Sequence, residues 1–309
     1  MKKTEVSLLF VFVMQASSYC FIRKSKIQIE QILKTLNRIS HQLDCNADYR
    51  KRKMMIYVFC MLMYGLILAF LFTYFYSDQR INDQAYLKNS TLFLSFSKLN
   101  PNFLPMLRDF SVSSHTLVNS IFVIGSTACY AFLCIEMRCL FLHITYQIQS
   151  VKSKENVYQL LHAYDELANV LSDVDSIFSY TVFVLVLSSM AGLFWSTYSL
   201  IFLQKTHLEF ITPFWFSGFY FVIVLLAVIL SASETARAGN VAREWVVSLP
   251  GFFPLLYLEL KIQIRKNFKR EIALTLWKMY TIDRSLLFSA LGTLVTYGIL
   301  IATLGNVQS

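Results

Sequence analysis

The sequence predicts an all-α polytopic membrane protein. About six transmembrane helices are expected, with long cytoplasmic helical extensions and an extracellular C-terminus. Three observations lead there. The chain is 56% hydrophobic and only 15% charged, with a mean hydropathy of +0.50, whereas soluble domains hold about 25% charged residues. Apolar runs of roughly spanning length recur at 6–22, 54–76, 114–135, 177–203, 212–233 and 286–304. Finally, 21 of the 28 Lys and Arg residues fall in three alternate connecting stretches, 23–53, 136–176 and 234–285. The positive-inside rule places those stretches in the cytoplasm. The net charge of +9 is therefore read as loop charge and not as a nucleic-acid surface.

The first run, 6–22, follows Lys2 and Lys3 and contains the small residues Ala16-Ser17-Ser18, so a cleaved signal peptide competes with a span. Beyond it, Ile29, Ile32, Leu33, Leu36 and Ile39 repeat at helical spacing, which predicts a helix continuing below the membrane. The second run, 54–76, closes on the aromatic belt Tyr74-Phe75-Tyr76. A loop is expected over 77–113. It holds Asn89-Ser90-Thr91, the chain's one glycosylation sequon, on the side assigned outside.

The third span exits at Glu136-Met137-Arg138. Leu160, Tyr164, Leu167, Leu171, Val174 and Phe178 then alternate four and three apart, a strict a/d seam. No breaker separates that seam from the fourth span, so one long rod is predicted. Glu155, Asp165, Glu166, Asp173 and Asp175 lie off the seam. After the fifth span, Pro250-Gly251 and Pro254 are expected to break 234–285 into two helices. Together, 136–176 and 234–285 are the candidate cytoplasmic anchor of a single domain, 1–309. The six cysteines include no CxxC pair and are read as reduced packing residues.

The last run reads LLFSALGTLVTYGILIATL and has no charge. With Thr296 at zero and about 100° per residue, Ser289, Thr293 and Thr303 fall at roughly +20°, +60° and −20°. One narrow face thus carries four hydroxyls. Helix–helix packing and a wall facing water both explain such a stripe.

Ile282-Asp283-Arg284-Ser285-Leu286-Leu287, then Gly292, then Thr296-Tyr297 with five small or apolar residues, resembles the last helix of the arthropod gustatory receptors. That family's signature is Thr-Tyr, five hydrophobic residues, then Gln-Phe. Thr303 and Leu304 stand here where Gln and Phe belong. The resemblance implies a multi-pass plasma-membrane protein, one subunit of a homo- or hetero-tetrameric, ligand-gated, non-selective cation channel opened by a small-molecule tastant. It implies a pore lined by the last helix, through Ser289, Thr296, Leu300, Thr303 and Val307, with Leu300 at the hydrophobic gate. The family has seven spans, so the six found here correspond to its second through seventh, and the first helix is absent. Aromatic and polar residues in outward halves are ligand-pocket candidates: Tyr74, His115, Asn119, Trp195, Tyr198, Phe214, Trp215 and Tyr220. Interface belts are the competing account of the aromatics, and capping and packing of His115 and Asn119.

No phosphate loop, HExxH, GxSxG or paired-carboxylate pattern occurs, so neither an enzyme nor a cofactor is predicted. His162 and Asp165-Glu166 sit one turn apart but mostly on a solvated face, so no metal is expected. No Asp, Glu, Lys or Arg lies in the hydrophobic cores of the spans. Proton-coupled transporters and voltage sensors need such charges. A pore lined by hydroxyls and closed by an apolar constriction does not. The alternatives kept open are a non-conducting binding or structural membrane protein, such as a degraded receptor copy, and, behind it, a transporter.

Overall fold

The structure is a computed structural model. It describes residues 2–43, 59, 60, 63, 64, 67, 103–150, 154–202, 208–252, 258, 261, 262, 272–290, 292, 293, 296 and 303. Five helices are bounded: α1 (Lys2–Lys24), α2 (Lys26–Gln42), α3 (Phe103–Ser150), α4 (Lys154–Phe202) and α5 (Leu208–Phe252). A short hairpin follows, β1 (Thr275–Leu276) and β2 (Tyr280–Thr281). Residues 284–290, 292, 293, 296 and 303 belong to the last helix, and 59, 60, 63, 64 and 67 are helical within the second run. Among the described residues, Ser120–Ser150, Val157–Leu200 and Thr212–Gly251 are long and apolar enough to cross a membrane.

The chain divides into two compact units. Unit 1 comprises Met1–Met54, Ser126–Ser188 and Val224–Gly292, and unit 2 comprises Met55–Gly125, Ser189–Ile223 and Thr293–Ser309.

In unit 1 the predicted seam is real. Leu160, Tyr164, Leu167, Leu171, Val174 and Phe178 are all buried. On α3 of the same unit, Leu133, Met137, Leu140, Phe141 and Ile144 are fully buried, and two seam residues meet that helix. The rings of Phe141 and Tyr164 meet edge to face at 5.9 Å, and those of Tyr130 and Phe178 at 5.8 Å. Each Leu or Phe buried this way contributes about 1.5–3 kcal/mol. On α2 the buried positions are Ile32, Leu36, Ile39 and Ser40, with Leu43 buried just past its end, while Leu33 is exposed. The stripe is thus narrower than the sequence pattern suggested. Ser25 barely interrupts the helix: its amide donates to the Phe21 carbonyl at 3.1 Å, and the Ile29 amide donates to its own carbonyl at 3.0 Å. α1 joins α4 through the Gln15 amide, which donates to Ser188 Oγ at 3.3 Å, and through the Ser17 and Tyr180 hydroxyls, 2.7 Å apart. Arg38 of α2 pairs with Glu166 of α4.

Three expectations need correction. α3 starts at Phe103, so the end of the anticipated loop is helical. Pro105 is tolerated because it lies in the first turn, where no intrahelical N–H partner is lost. α5 runs through Pro250-Gly251 to Phe252, so that pair does not break it, and Pro254 lies outside the described residues. The stretch before the last helix is also not wholly helical, because 275–281 form an antiparallel hairpin with Thr275 opposite Thr281. Of the described cysteines, all free, Cys134 is buried, Cys129 and Cys139 are half-buried, and Cys20 and Cys60 are exposed.

The hairpin turn has positive φ at two consecutive side-chain-bearing residues, Trp277 (47°) and Lys278 (58°). The Met279 amide closes it onto the Leu276 carbonyl at 2.9 Å. Asn or Gly normally fills such turns, and a left-handed L-residue costs about 1–2 kcal/mol. Tertiary contacts offset that cost. The Trp277 amide donates to the Ser179 carbonyl at 3.1 Å. Its ring lies 5.9 Å from that of Tyr180 and 5.2 Å from that of Phe183. Asp175, buried and not solvated, accepts the Thr275 amide at 2.6 Å, the Thr275 hydroxyl at 2.9 Å and the Lys278 ammonium at 2.5 Å.

Candidate functional site

Two places hold candidate functional residues. The first is the last helix. Its start follows from local chemistry. Asp283 accepts the Leu286 amide at 3.0 Å, the bond of an N-cap, and also the Ser285 hydroxyl at 2.8 Å. The Ser285 hydroxyl and then the Leu286 amide hold its carboxyl below the usual carboxylate range, because both bonds favour the charged form. Arg284, at the first helical position, faces the wrong end of the helix dipole. Glu234 on α5 compensates: one oxygen takes Arg284, and the other takes Arg138 of α3 at 3.3 Å.

Exposure along this helix follows its turn. In unit 1, Phe288 and Ser289 are exposed, Ala290 is buried, and Leu286 and Leu287 are half-buried. Gly292 is exposed as well. In unit 2, Thr293, Thr296 and Thr303 are exposed. Each of the four stripe hydroxyls is thus on an exposed residue, Ser289 in unit 1 and the three threonines in unit 2.

The second place is an aromatic cluster in unit 2. Tyr64 donates its hydroxyl to the Phe216 carbonyl at 2.7 Å. Its ring stacks on Tyr220 at 6.2 Å and tilts against Phe216 at 6.1 Å. Phe221 meets Tyr220 edge-on at 5.2 Å and lies where a side chain on Gly192 would stand. Only glycine lets the ring approach the α4 backbone so closely. Beside it, Ser196 donates to Ser217 at 3.2 Å. Of the pocket candidates, Tyr220 is in this cluster and is buried. Trp195, Tyr198 and Trp215 are 44%, 38% and 56% exposed, and they pair elsewhere, Trp195 with Tyr198 and Trp215 with Phe219. Phe214 is half-buried. Sequence reading passed over Tyr64, Phe216, Phe221 and Gly192. A glycine inside an apolar helix was the one signal for them.

Tyr74, Asn89, Tyr297, Leu300 and Val307 lie outside the described residues, as do the side chains of His115 and Asn119, whose backbone is helical in α3. No cluster of His, Cys, Asp and Glu among the described residues could hold a metal ion.

No family model matches the chain, and no curated protein matches its sequence significantly. Solved structures do match. The insect olfactory receptor OR5 from Machilis hrabei superposes with a TM-score of 0.70 at 14% identity, over 94% of this chain and 78% of that one. The same receptor in complex with eugenol superposes with a TM-score of 0.69 at 13% identity, over 95% and 79%. With its apolar helices and this architecture, the chain is an all-α polytopic membrane protein that has the fold of an insect olfactory receptor.

Proposed function

We propose that this chain is a gustatory receptor of the plasma membrane. It acts as one subunit of a tetrameric, ligand-gated, non-selective cation channel opened by a small-molecule tastant. The observation that carries this reading is that Ser289, Thr296 and Thr303, which share one face of the last helix by periodicity, are all exposed residues, in a chain with an insect-receptor fold. Four copies would turn those faces to a common axis, with Leu300 and Val307 continuing the same stripe. Hydroxyls lower the cost of a hydrated cation there, and a ring of four leucines closes the path by dewetting. The aromatic cluster around Tyr64 and Tyr220 supplies an apolar, stacking surface suited to small ring compounds.

Two measurements test this. Purified protein must be a symmetric oligomer of four, and a monomer removes the pore. Voltage clamp of expressing cells, with sugars, bitter compounds, amino acids and eugenol, must give a ligand-evoked current. One observation favours a second reading, a non-conducting binding or structural membrane protein: Thr303 replaces the amide that the gustatory signature carries. An assembled, surface-expressed tetramer silent to every ligand and silent as Leu300→Ala decides for that reading.

A further inference from the structure

The segment 272–284 leads into the last helix, and three polar side chains from α4 and α5 hold it, all within unit 1. Asn240 embraces Ile272: its amide nitrogen donates to the Ile272 carbonyl at 3.1 Å, and its oxygen accepts the Ile272 N–H at 3.3 Å. Gly239 beside it leaves room, because a Cβ there would stand 2.9 Å from Ile272 Cγ2. Asp175 grips Thr275 and Lys278 at the hairpin. Glu234 grips Arg284 at the first helical residue. These three holds bracket the segment at its start, middle and end. The turn between them is strained and is not held by local sequence preference.

Apolar packing between helices tolerates sliding, whereas hydrogen bonds to charged or amide groups are directional and break when displaced. We infer that Asp175, Asn240 and Glu234 are positioning residues for the last helix. They fix 272–284 to α4 and α5, so displacement of those helices is passed to the root of the last helix through polar contacts. The inference rests on the pore reading for its consequence, but not for the holds themselves.

The test uses Glu234→Gln, Arg284→Gln and the double variant. Arg284 is exposed, so its replacement leaves the core intact. Hydrogen exchange on full-length protein in lipid nanodiscs reads the holds. Each single variant is expected to raise exchange over 282–290 by roughly fivefold, the size of a half-exposed ion pair, with 157–187 unchanged. The double variant is expected to match Glu234→Gln, the larger single, because both singles remove the Glu234–Arg284 pair and Glu234→Gln alone also weakens the hold on Arg138. Asp175→Asn is expected to raise exchange at Thr275 in the same way. Basal sodium conductance at matched surface level reads the consequence: both singles shift it in the same direction, and the double shifts it no further. Unchanged exchange, or additive effects, overturn the inference. So does raised exchange with unaltered conductance in a protein that conducts as Leu300→Ala. If neither wild type nor Leu300→Ala conducts, the pore reading fails, and the exchange result alone decides whether the three side chains position the helix.

Discussion

Gly192 gives the sharpest energetic test. Phe221 occupies the space that a side chain at this position would take. Replacing a mid-helix glycine with alanine ordinarily stabilises by about 1 kcal/mol. Forcing a methyl group into a packed site costs about 1–3 kcal/mol. Phe221 is half-buried and its ring can partly give way, so the lower part of that range applies. Gly192→Ala should therefore be neutral to destabilising by about 1 kcal/mol, against the helical preference. In a Phe221→Ala background the clash is gone, and the same substitution should stabilise by about 1 kcal/mol. The double-mutant coupling is thus on the order of 1–2 kcal/mol. Size-exclusion chromatography of detergent-purified protein after stepwise heating reads it, at roughly 2 °C per kcal/mol for a chain of this size. If alanine at 192 has the same effect in both backgrounds, the Phe221 ring is not what requires glycine, and the close helix approach in unit 2 is wrong.

Other expectations follow from single sites. Asp283→Ala removes the N-cap of the last helix and should cost about 1 kcal/mol of local stability, seen as faster exchange at the Leu286 amide, while Asp283→Asn should not. The Asp283 carboxyl titrates lower in the folded state than in the unfolded one, so its stabilisation is complete above the unfolded value near 4 and is lost as pH falls through the folded value. Acid should thus loosen this turn in the wild type, and Asp283→Asn should remove that dependence. Leu167→Ala empties a fully buried seam position and should lower stability by about 2–5 kcal/mol in thermal unfolding; a loss below about 1 kcal/mol would mean the seam is not packed. Leu300→Ala should raise basal current, and a silent membrane counts against the gate. Asn89→Gln should remove a glycan and increase gel mobility in a glycosylating host, as the outward assignment of that loop requires.

How much was legible in the sequence depended on whether the signal was local. α4 was legible because a heptad seam ran into an apolar run with no Gly or Pro between them. The seam then packed as its spacing implied. The hairpin was not legible. Its turn, Leu276-Trp277-Lys278-Met279, contains none of Gly, Asn, Asp or Pro, so no short-range signal announces it. What creates it is Asp175, 100 residues earlier at Thr275. For the same reason Asp175 passed as one of several acids off the seam, when it is buried under a partner that spacing could not reveal. At the candidate site, the hydroxyl face of the last helix was legible from periodicity alone. The Tyr64–Tyr220 cluster was not, since stacking between two distant helices leaves no trace in either one's pattern.

The grip on 272–284 also bears on how the protein is made. Asp175, Glu234 and Asn240 all precede the segment they hold, by 100, 50 and 32 residues. When that segment leaves the ribosome, the helices carrying its partners have already been synthesised and offered to the translocon. A turn that disfavours its own shape then meets a finished template and is moulded on it, so the closing helix enters the bilayer from a starting point set by the chain ahead of it.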